Sequence, residues 1–342
     1  MWIVVALVAL QVVLDADLAL WVIDKVDALW LDSEKKARPF SGQVHWVTGA
    51  SSGIGAALAL DLVAGGAKVI ISARRQEQLL AVQKEASVKF PTSKGFHAIE
   101  VIPLDVLDLD AQSAAVEAVL SAHGRIDSLV LNAGRTQRAL AVDFPLKDTR
   151  DIFELNFFSY VSLTKLVLPS MQKQKQGKLV VMSSVAGKMG VPISGSYSAT
   201  KWALHGYYDA LRSEVSRDGI SVLLVCPGPV QSEIVSQAML ASASTPSGAA
   251  VRSGANEDNE KKMSTARCTR LVAVAMWAGL HEVWISQQPI LFFVYLAEYA
   301  PGFARQLWTR VVGPSRVKTM LAGGDVYDIK NLFGLGSGAG KK

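Results

Sequence analysis

Within Ser196-Tyr197-Ser198-Ala199-Thr200-Lys201 a tyrosine and a lysine stand four residues apart at the start of an apolar-periodic run. On a helix that spacing puts both side chains on one face. An ammonium beside a phenol favours the phenolate, so Tyr197 could exchange a proton nearer neutral pH than the reference phenol pKa of about 10 permits. A surface Tyr and Lys on an amphipathic helix share that spacing, and the pair alone decides nothing. It acquires chemistry only with a cofactor site upstream and a hydrogen-bond donor for a substrate oxygen nearby.

The elements that must position the pair are short apolar strands alternating with longer amphipathic helices. Strands are expected over 44–48, 68–72, 98–104, 128–132, 178–183, 221–225 and 282–286, and helices near 53–64, 75–89, 110–123, 148–174, 197–217 and 264–279. This alternation predicts an α/β fold: one doubly wound, largely parallel, Rossmann-like seven-stranded sheet with helices on both faces. Ligands bind such sheets beyond the carboxyl ends of the strands.

The first strand leads into Thr48-Gly49-Ala50-Ser51-Ser52-Gly53-Ile54-Gly55 and then a helix. Glycines let backbone approach a pyrophosphate, and the helix N-terminus offers unpaired N–H groups and partial positive charge. A tight glycine turn with no ligand is the bland alternative. The second strand ends in Ser72-Ala73-Arg74-Arg75, with no acid to meet a ribose 2′-hydroxyl and two arginines suited to a 2′-phosphate. NADP(H) is therefore favoured over NAD(H), with Ser52 as a further donor, against the alternative that the arginines merely open a solvated helix. Asp105-Val106 after the third strand suits an adenine edge or a turn cap. Asn132-Ala133-Gly134 after the fourth provides a turn where backbone can approach the cofactor.

The net charge of +5 is dispersed, without a basic block or nucleic-acid motif, so no nucleic-acid partner is expected. Five scattered histidines lack metal-ligand spacing, and Cys226 and Cys268 fall in apolar runs expected to bury them as free thiols. Met1 to Leu14 is apolar except for Gln11, and Asp15 and Asp17 follow. A helix of that length is roughly 21 Å long against a hydrocarbon core of roughly 30 Å, and extending it would bury both aspartates, so attachment to a membrane is expected rather than a simple span. A cleaved signal peptide lacks its basic n-region. From 18 to 31, Leu18, Val22, Val26, Leu29 and Trp30 gather on one side and Asp17, Asp24 and Asp27 on another, the pattern of an interfacial helix. The expected organisation is a membrane segment over 1–31, a charged linker over 32–42, one domain over 43–290, an amphipathic extension over 291–333 and a disordered tail over 334–342.

With Thr48-Gly49-x-x-x-Gly53-x-Gly55, Asn132-Ala133-Gly134 and Tyr197-x-x-x-Lys201 in this order and spacing, the chain resembles the short-chain dehydrogenase/reductase family over about residues 43 to 290. Leu131 departs from it, since the family often carries a further asparagine there. The resemblance implies that Tyr197 is the general acid in carbonyl reduction and the base in reverse, and that Lys201 lowers its pKa and holds the nicotinamide ribose. Ser184, thirteen residues before Tyr197, would donate to the substrate oxygen, and Asn156 would position a water linking Lys201 to solvent. Pro227-Gly228-Pro229-Val230 would close over the nicotinamide end.

It further implies a lipophilic carbonyl or alcohol such as a retinoid or steroid, a homodimer formed through the 148–174 and 197–217 helices, and the endoplasmic reticulum. A non-catalytic NADP-binding scaffold is the alternative; a sugar-nucleotide epimerase would carry a different glycine spacing. Residues 236–259, rich in Ala, Ser and Gly, are expected to form a lid or a disordered insertion. Tyr299, Phe303, Leu307 and Trp308 beside Arg305, Arg310, Arg316 and Lys318 suit a membrane surface, and equally a cleft wall or subunit contact.

Hydride transfer to a carbonyl builds negative charge on oxygen, so donors from Ser184 and Tyr197 would stabilise the transition state more than the ground state. Tyr197→Phe is therefore expected to abolish turnover while NADPH binding, followed by cofactor fluorescence, stays largely intact; undiminished carbonyl reduction would exclude the assignment.

Overall fold

The computed structural model describes residues 15–30, 39–91, 99–234, 237–240 and 262–322, with the backbone alone over 26–30. Helix α1 (Leu18–Trp30) comes first, followed by β1 (Val44–Thr48), α2 (Gly53–Ala64), β2 (Lys68–Ser72), α3 (Gln76–Lys89), β3 (Ile99–Val101), α4 (Leu109–His123) and β4 (Ser128–Leu131). Next come β5 (Gln137–Arg138), α5 (Leu146–Phe153), α6 (Ser159–Gln174), β6 (Gly177–Met182), α7 (Gly195–Glu214), β7 (Ile220–Pro227) and β8 (Met239–Leu240). The described chain ends with α8 (Thr265–Trp277), β9 (Glu282–Ile285), α9 (Ile290–Tyr299), α10 (Pro301–Leu307) and α11 (Gly313–Leu321). Seven strands form one parallel sheet in the order β3-β2-β1-β4-β6-β7-β9, the expected fold class.

The period of two in the strands divides the core. Val47, Ile71, Val130, Val180 and Val225 pack with Leu58, Leu62, Leu79 and Leu271 on the face covered by α2, α3 and α8. Their strand neighbours Trp46, Ile70, Leu129, Val181 and Leu224 pack with Val116, Leu163, Leu204 and Tyr208 from α4, α6 and α7. Burial on both faces is why these strands read as continuous apolar runs. From β1 the order runs outward through β2 and β3 on one side and from β4 through β6, β7 and β9 on the other. That reversal opens a crevice at the carboxyl ends of β1 and β4.

Three local differences from the sequence reading have physical causes. The third strand stops at Val101; Ile102 and Leu104 still donate to the Ile71 and Ala73 carbonyls, but the ring of Pro103 between them fixes φ at about −65°, away from the extended strand range, at a place on the sheet edge where its missing N–H costs no pairing. The helix expected over 148–174 is split into α5 and α6 by a π-helical turn, Glu154–Phe158, that carries Asn156. A two-stranded parallel pair, β5 with β8, joins Gln137 to Met239 and Arg138 to Leu240 and is too short to show any periodicity. Most of the expected 236–259 loop, residues 1–14, the linker up to residue 38 and the 334–342 tail lie outside the described residues.

The N-terminal helix forms, but its acidic side faces the protein. Asp24 is 2% exposed and Leu20 fully buried, whereas Leu18 and Val22 are 40% and 44% exposed. Arg267 on α8 donates to both Asp15 (2.7 and 3.0 Å) and Asp24 (2.8 Å), and Arg270 donates to Asp24 at 3.1 Å. Asp17 binds the edge of β9: its N–H donates to the Trp284 carbonyl at 2.7 Å and its carboxylate accepts from the Trp284 N–H at 2.8 Å. Among the described residues no helix is long and apolar enough to cross a membrane. Among the described residues Asp15 and Asp24 thus meet the arginines of α8 and Asp17 meets β9, while Leu18 and Val22 turn outward.

Burial pulls the Asp24 carboxyl upward, but the Arg267 and Arg270 guanidiniums outweigh it and hold the pKa below the ordinary 3.8. A depressed folded-state value stabilises the fold fully above the unfolded pKa and is lost as pH falls through the folded one. Arg267→Met, which leaves Asp24 with one half-exposed partner, is expected to cost about 3 kcal/mol in urea unfolding at pH 7. That gap should shrink at pH 3, and equal stabilities at pH 7 would show that the clamp carries no weight.

Candidate active site

Two loops from adjacent strand ends meet in backbone contact. Gly49 has φ 65°, and a Cβ there would lie 2.7 Å from Ala133 Cα; at Gly55 it would lie 2.5 Å from the Gly49 carbonyl oxygen. Only glycine permits that approach. Asn132 locks the loops together through Nδ2, which donates to the carbonyls of Thr48 (3.0 Å) and Gly49 (3.1 Å), while its own N–H donates to Thr48 Oγ1 at 3.0 Å. Leu131 takes an apolar place in the sheet core instead of joining this set.

Helix α2 starts from this loop with no side-chain cap on its first N–H groups. They face a cleft of about 990 Å3 lined by Gly49, Ser51, Ser52, Gly53 and Ile54, with Arg74, Arg75, Asp105, Val106, Asn132, Ala133 and Gly134 around it. Arg75 Nη2 donates to Ser51 Oγ (3.1 Å) and Ser52 Oγ (3.2 Å) and lies 3.7 Å from Glu233 Oε2. An uncapped helix start, a glycine cradle and a guanidinium gathered with two hydroxyls fit the pyrophosphate and 2′-phosphate of a dinucleotide. Gly55 is not in the lining; its role is the close packing of the loop on Asn132.

The crevice continues past Ile54 and Gly134 into a space of about 1110 Å3 that contains Ser184, Tyr197, Lys201, Pro227, Gly228 and Val230. Tyr197 and Lys201 lie one turn apart on α7. Ser184 follows the end of β6, where its Oγ accepts from Ala186 N–H (3.1 Å) and lies 3.3 Å from the Pro227 carbonyl oxygen. Asn156 stands outside the lining and is fully buried. Its amide accepts from Arg135 N–H (2.9 Å) and donates to Arg135 O (2.8 Å) and Thr200 Oγ1 (3.2 Å), so its side chain ties the turn after β4 to α7.

Lys201 is 4% exposed, and its ammonium donates to the Met182 carbonyl at 2.7 Å while lying 5.7 Å from the Tyr197 ring centroid and 5.6 Å from that of Tyr160. Burial without a carboxylate partner pulls its pKa down from 10.5 to about 7. The unfolded chain then binds more protons than the folded one between about pH 7 and 10.5, and stability is expected to rise with pH across that window. Lys201→Met removes the charged group, so the cofactor-free variant should unfold at higher denaturant near pH 7 by on the order of a few kcal/mol, although it loses activity. A variant no more stable than wild type, with the same pH slope, would contradict the buried charge.

The periodicity of the sequence does not mark several other lining residues. Arg138 enters from β5, Met189 and Val191 from the loop before α7, and Lys262 from the segment before α8. Ile290, at the end of the domain, and Trp308 and Arg316 of the C-terminal extension join the lining, so one of the roles open to the extension, a wall of the cleft, is realised. Arg316 is buried while Arg305, Arg310 and Lys318 are exposed, a difference that the shared pattern of arginines beside apolar residues does not carry in the sequence.

The short chain dehydrogenase family profile matches residues 43–242. The chain is 41% identical over 302 residues to human "Dehydrogenase/reductase SDR family member 7", covering 87% of this chain and 86% of that one. It is 40% identical over 297 residues to the mouse protein of the same name, covering 86% and 83%. A short-chain dehydrogenase from Streptomyces avermitilis superposes with a TM-score of 0.65 at 30% identity, covering 79% of this chain and 97% of that one. A metagenomic short-chain oxidoreductase in complex with NADP gives 0.58 at 28%, covering 73% and 99%. The strand-end glycine cradle, the Tyr197–Lys201 face of α7 and this agreement over most of the chain identify the protein as a member of the short-chain dehydrogenase/reductase family.

Proposed function

We propose that the protein is an NADP(H)-dependent oxidoreductase that interconverts a lipophilic carbonyl, of the retinoid or steroid kind, and its alcohol. The observation that carries this reading is the single crevice in which Ser184, Tyr197 and Lys201 sit at one end and Arg75 with Ser51 and Ser52 at the other. A nicotinamide bound there supplies the hydride. Ser184 orients the substrate oxygen and Tyr197 delivers a proton to it. Lys201 keeps positive charge beside the phenol as the proton leaves, and holds the ribose. Asn156 would place the water that reconnects Lys201 to solvent.

The preference for NADP(H) is supported by Arg75, by the absence of an acid at the end of β2, and by the similar metagenomic enzyme in complex with NADP. A lipophilic substrate suits the apolar part of the crevice, formed by Val185, Met189, Val191, Ile290 and Trp308. The exposed apolar side chains Leu18 and Val22 on α1 and Phe292, Tyr299 and Phe303 on α9 and α10 are consistent with seating on a membrane surface, for which the endoplasmic reticulum is the family-based expectation. Exposed Phe158 and Trp202 beside α6 and on α7 suit a homodimer.

Lipophilic ketones and aldehydes assayed with both cofactors test this directly. NADPH should support turnover at least tenfold better than NADH, and Arg75→Ala should raise KM for NADPH about tenfold while leaving NADH unchanged, the loss expected for a charge-assisted contact. Equal use of the two cofactors by wild type would overturn the NADP assignment. Cofactor binding without reduction of any carbonyl would favour a scaffold.

A further inference from the structure

Directly behind Ser184 lies a chain of polar groups, buried at Ser183 and His205 and partly exposed at Glu282 and Lys188, that the proposed reaction does not use. Ser183, the neighbour of Ser184 on the end of β6, has its Oγ 3.0 Å from His205 Nε2. His205 Nδ1 lies 3.4 Å from Glu282 Oε2, and Glu282 in turn lies 3.1 Å from Lys188 Nζ and accepts from Trp284 Nε1 at 2.6 Å. Cys226 Sγ on β7 lies 3.6 Å from His205 Nε2. Four elements, the ends of β6 and β7, the start of β9 and the middle of α7, thus converge on one imidazole.

The order serine, histidine, carboxylate is that of a nucleophile with its base and orienting acid. The surroundings exclude a nucleophile. A Cβ at Gly187 would lie 2.8 Å from Ser183 Oγ and 2.9 Å from His205 Nε2, so the turn after Ser184 is laid over the pair, and Ser183 is 4% exposed. A hydroxyl roofed by backbone cannot attack a substrate carbonyl. What it can do is hold the elements around it in register.

Tyr197, Lys201 and His205 recur every four residues and share a face of α7, while Ser184 and the carbonyl of Met182 that receives Lys201 belong to the end of β6. The proton donor and the substrate-orienting hydroxyl therefore come from two different elements, and their spacing depends on how those elements are fastened. We propose that Ser183, His205 and Glu282 form a positioning relay that sets the end of β6 against α7, and so sets Ser184 and Lys201 relative to Tyr197. Glu282 keeps the proton of the ring on Nδ1, which leaves Nε2 to accept the Ser183 hydroxyl. The competing Ser183 contact, with the Lys201 carbonyl at 3.5 Å, is longer. Burial works against the Glu282 charge, but His205, Trp284 and Lys188 outweigh it and hold the carboxyl down to about 2, so the fastening stays ionised. His205 and Glu282 stand outside the lining of the crevice, and Ser183 reaches it as a residue only 4% exposed; their effect passes through Ser184 and Lys201, and the proposal rests on the carbonyl-reductase reading of the site.

The test compares full-length wild type with Ser183→Ala, His205→Leu, His205→Gln and the Ser183→Ala/His205→Leu double variant, in steady-state carbonyl reduction, NADPH fluorescence titration and thermal unfolding. His205→Leu should lower kcat at least tenfold with KM for the carbonyl and Kd for NADPH within twofold. His205→Gln, whose amide oxygen can accept the Ser183 hydroxyl, should recover most of that loss, and the double variant should be no slower than His205→Leu alone. Unchanged kcat in the single variants of an active enzyme would overturn the proposal. So would losses that add in the double variant, or that follow thermal stability and are not rescued by glutamine. A wild type that binds NADPH and reduces no carbonyl would instead remove the reading of the site, and the proposal with it.

Discussion

The arrangement depends on a positive charge kept out of water. Lys201 has one hydrogen bond from its ammonium to a backbone carbonyl, two aromatic ring faces near it and no carboxylate among the partners identified for it. Such burial is costly in an isolated protein. It is tolerated because the surrounding structure allows little else: Met182 ends a strand hydrogen-bonded to β4 on one side and β7 on the other, and α7 is pinned to the sheet through Leu204, Tyr208 and Leu211. A charge held this way interacts strongly with any neighbour that changes ionisation, and Tyr197 is one turn away. In the proposed function, the stability given up at Lys201 is the physical condition for proton chemistry at Tyr197.

The sheet turns that local condition into a site. Because the strands are parallel and the order reverses between β1 and β4, the glycine loop, the Asn132 turn, Ser184 and the Pro227-Gly228 segment all emerge at the same end. Thr48 and Asn132 bind the first two of these loops to each other, and Ser286 packs against Gly228 so closely that a Cβ there would lie 2.1 Å from its hydroxyl. Ser286 is itself held by the N-terminal segment, since its N–H donates to the Asp15 carbonyl at 3.1 Å. Asp15 is therefore part of the packing behind the Pro227-Gly228 segment.

Much of this was legible in the sequence, and the limits have physical causes. The strands were legible because burial on both faces makes them continuous apolar runs, and the tight meeting of the first and fourth strand-end loops because backbone approach demands glycine at Gly49 and Gly55. Asp24 misled because a charge pattern on a helix shows which residues share a side but not what that side meets; its arginines lie more than 240 residues away. The β5–β8 pair has too few residues to carry a period. The His205 network was missed for a related reason: its members are ordinary polar residues on four elements, brought together only by topology. The extension after β9 admitted three roles because an apolar stripe with arginines is the same pattern for a bilayer, a partner or a cleft, and only Ile290, Trp308 and Arg316 in the lining distinguish them.

In the proposed function this buried centre delivers a proton to the carbonyl oxygen as the hydride arrives. Single-turnover oxidation of NADPH by wild-type enzyme and a saturating carbonyl, followed by stopped flow with hydride or deuteride at the transferred position, in H2O and in D2O, addresses it most directly. Both substitutions should slow the same kinetic step, since proton and hydride move in one transition state. A hydride-transfer step slowed by cofactor deuteration but indifferent to D2O would contradict it.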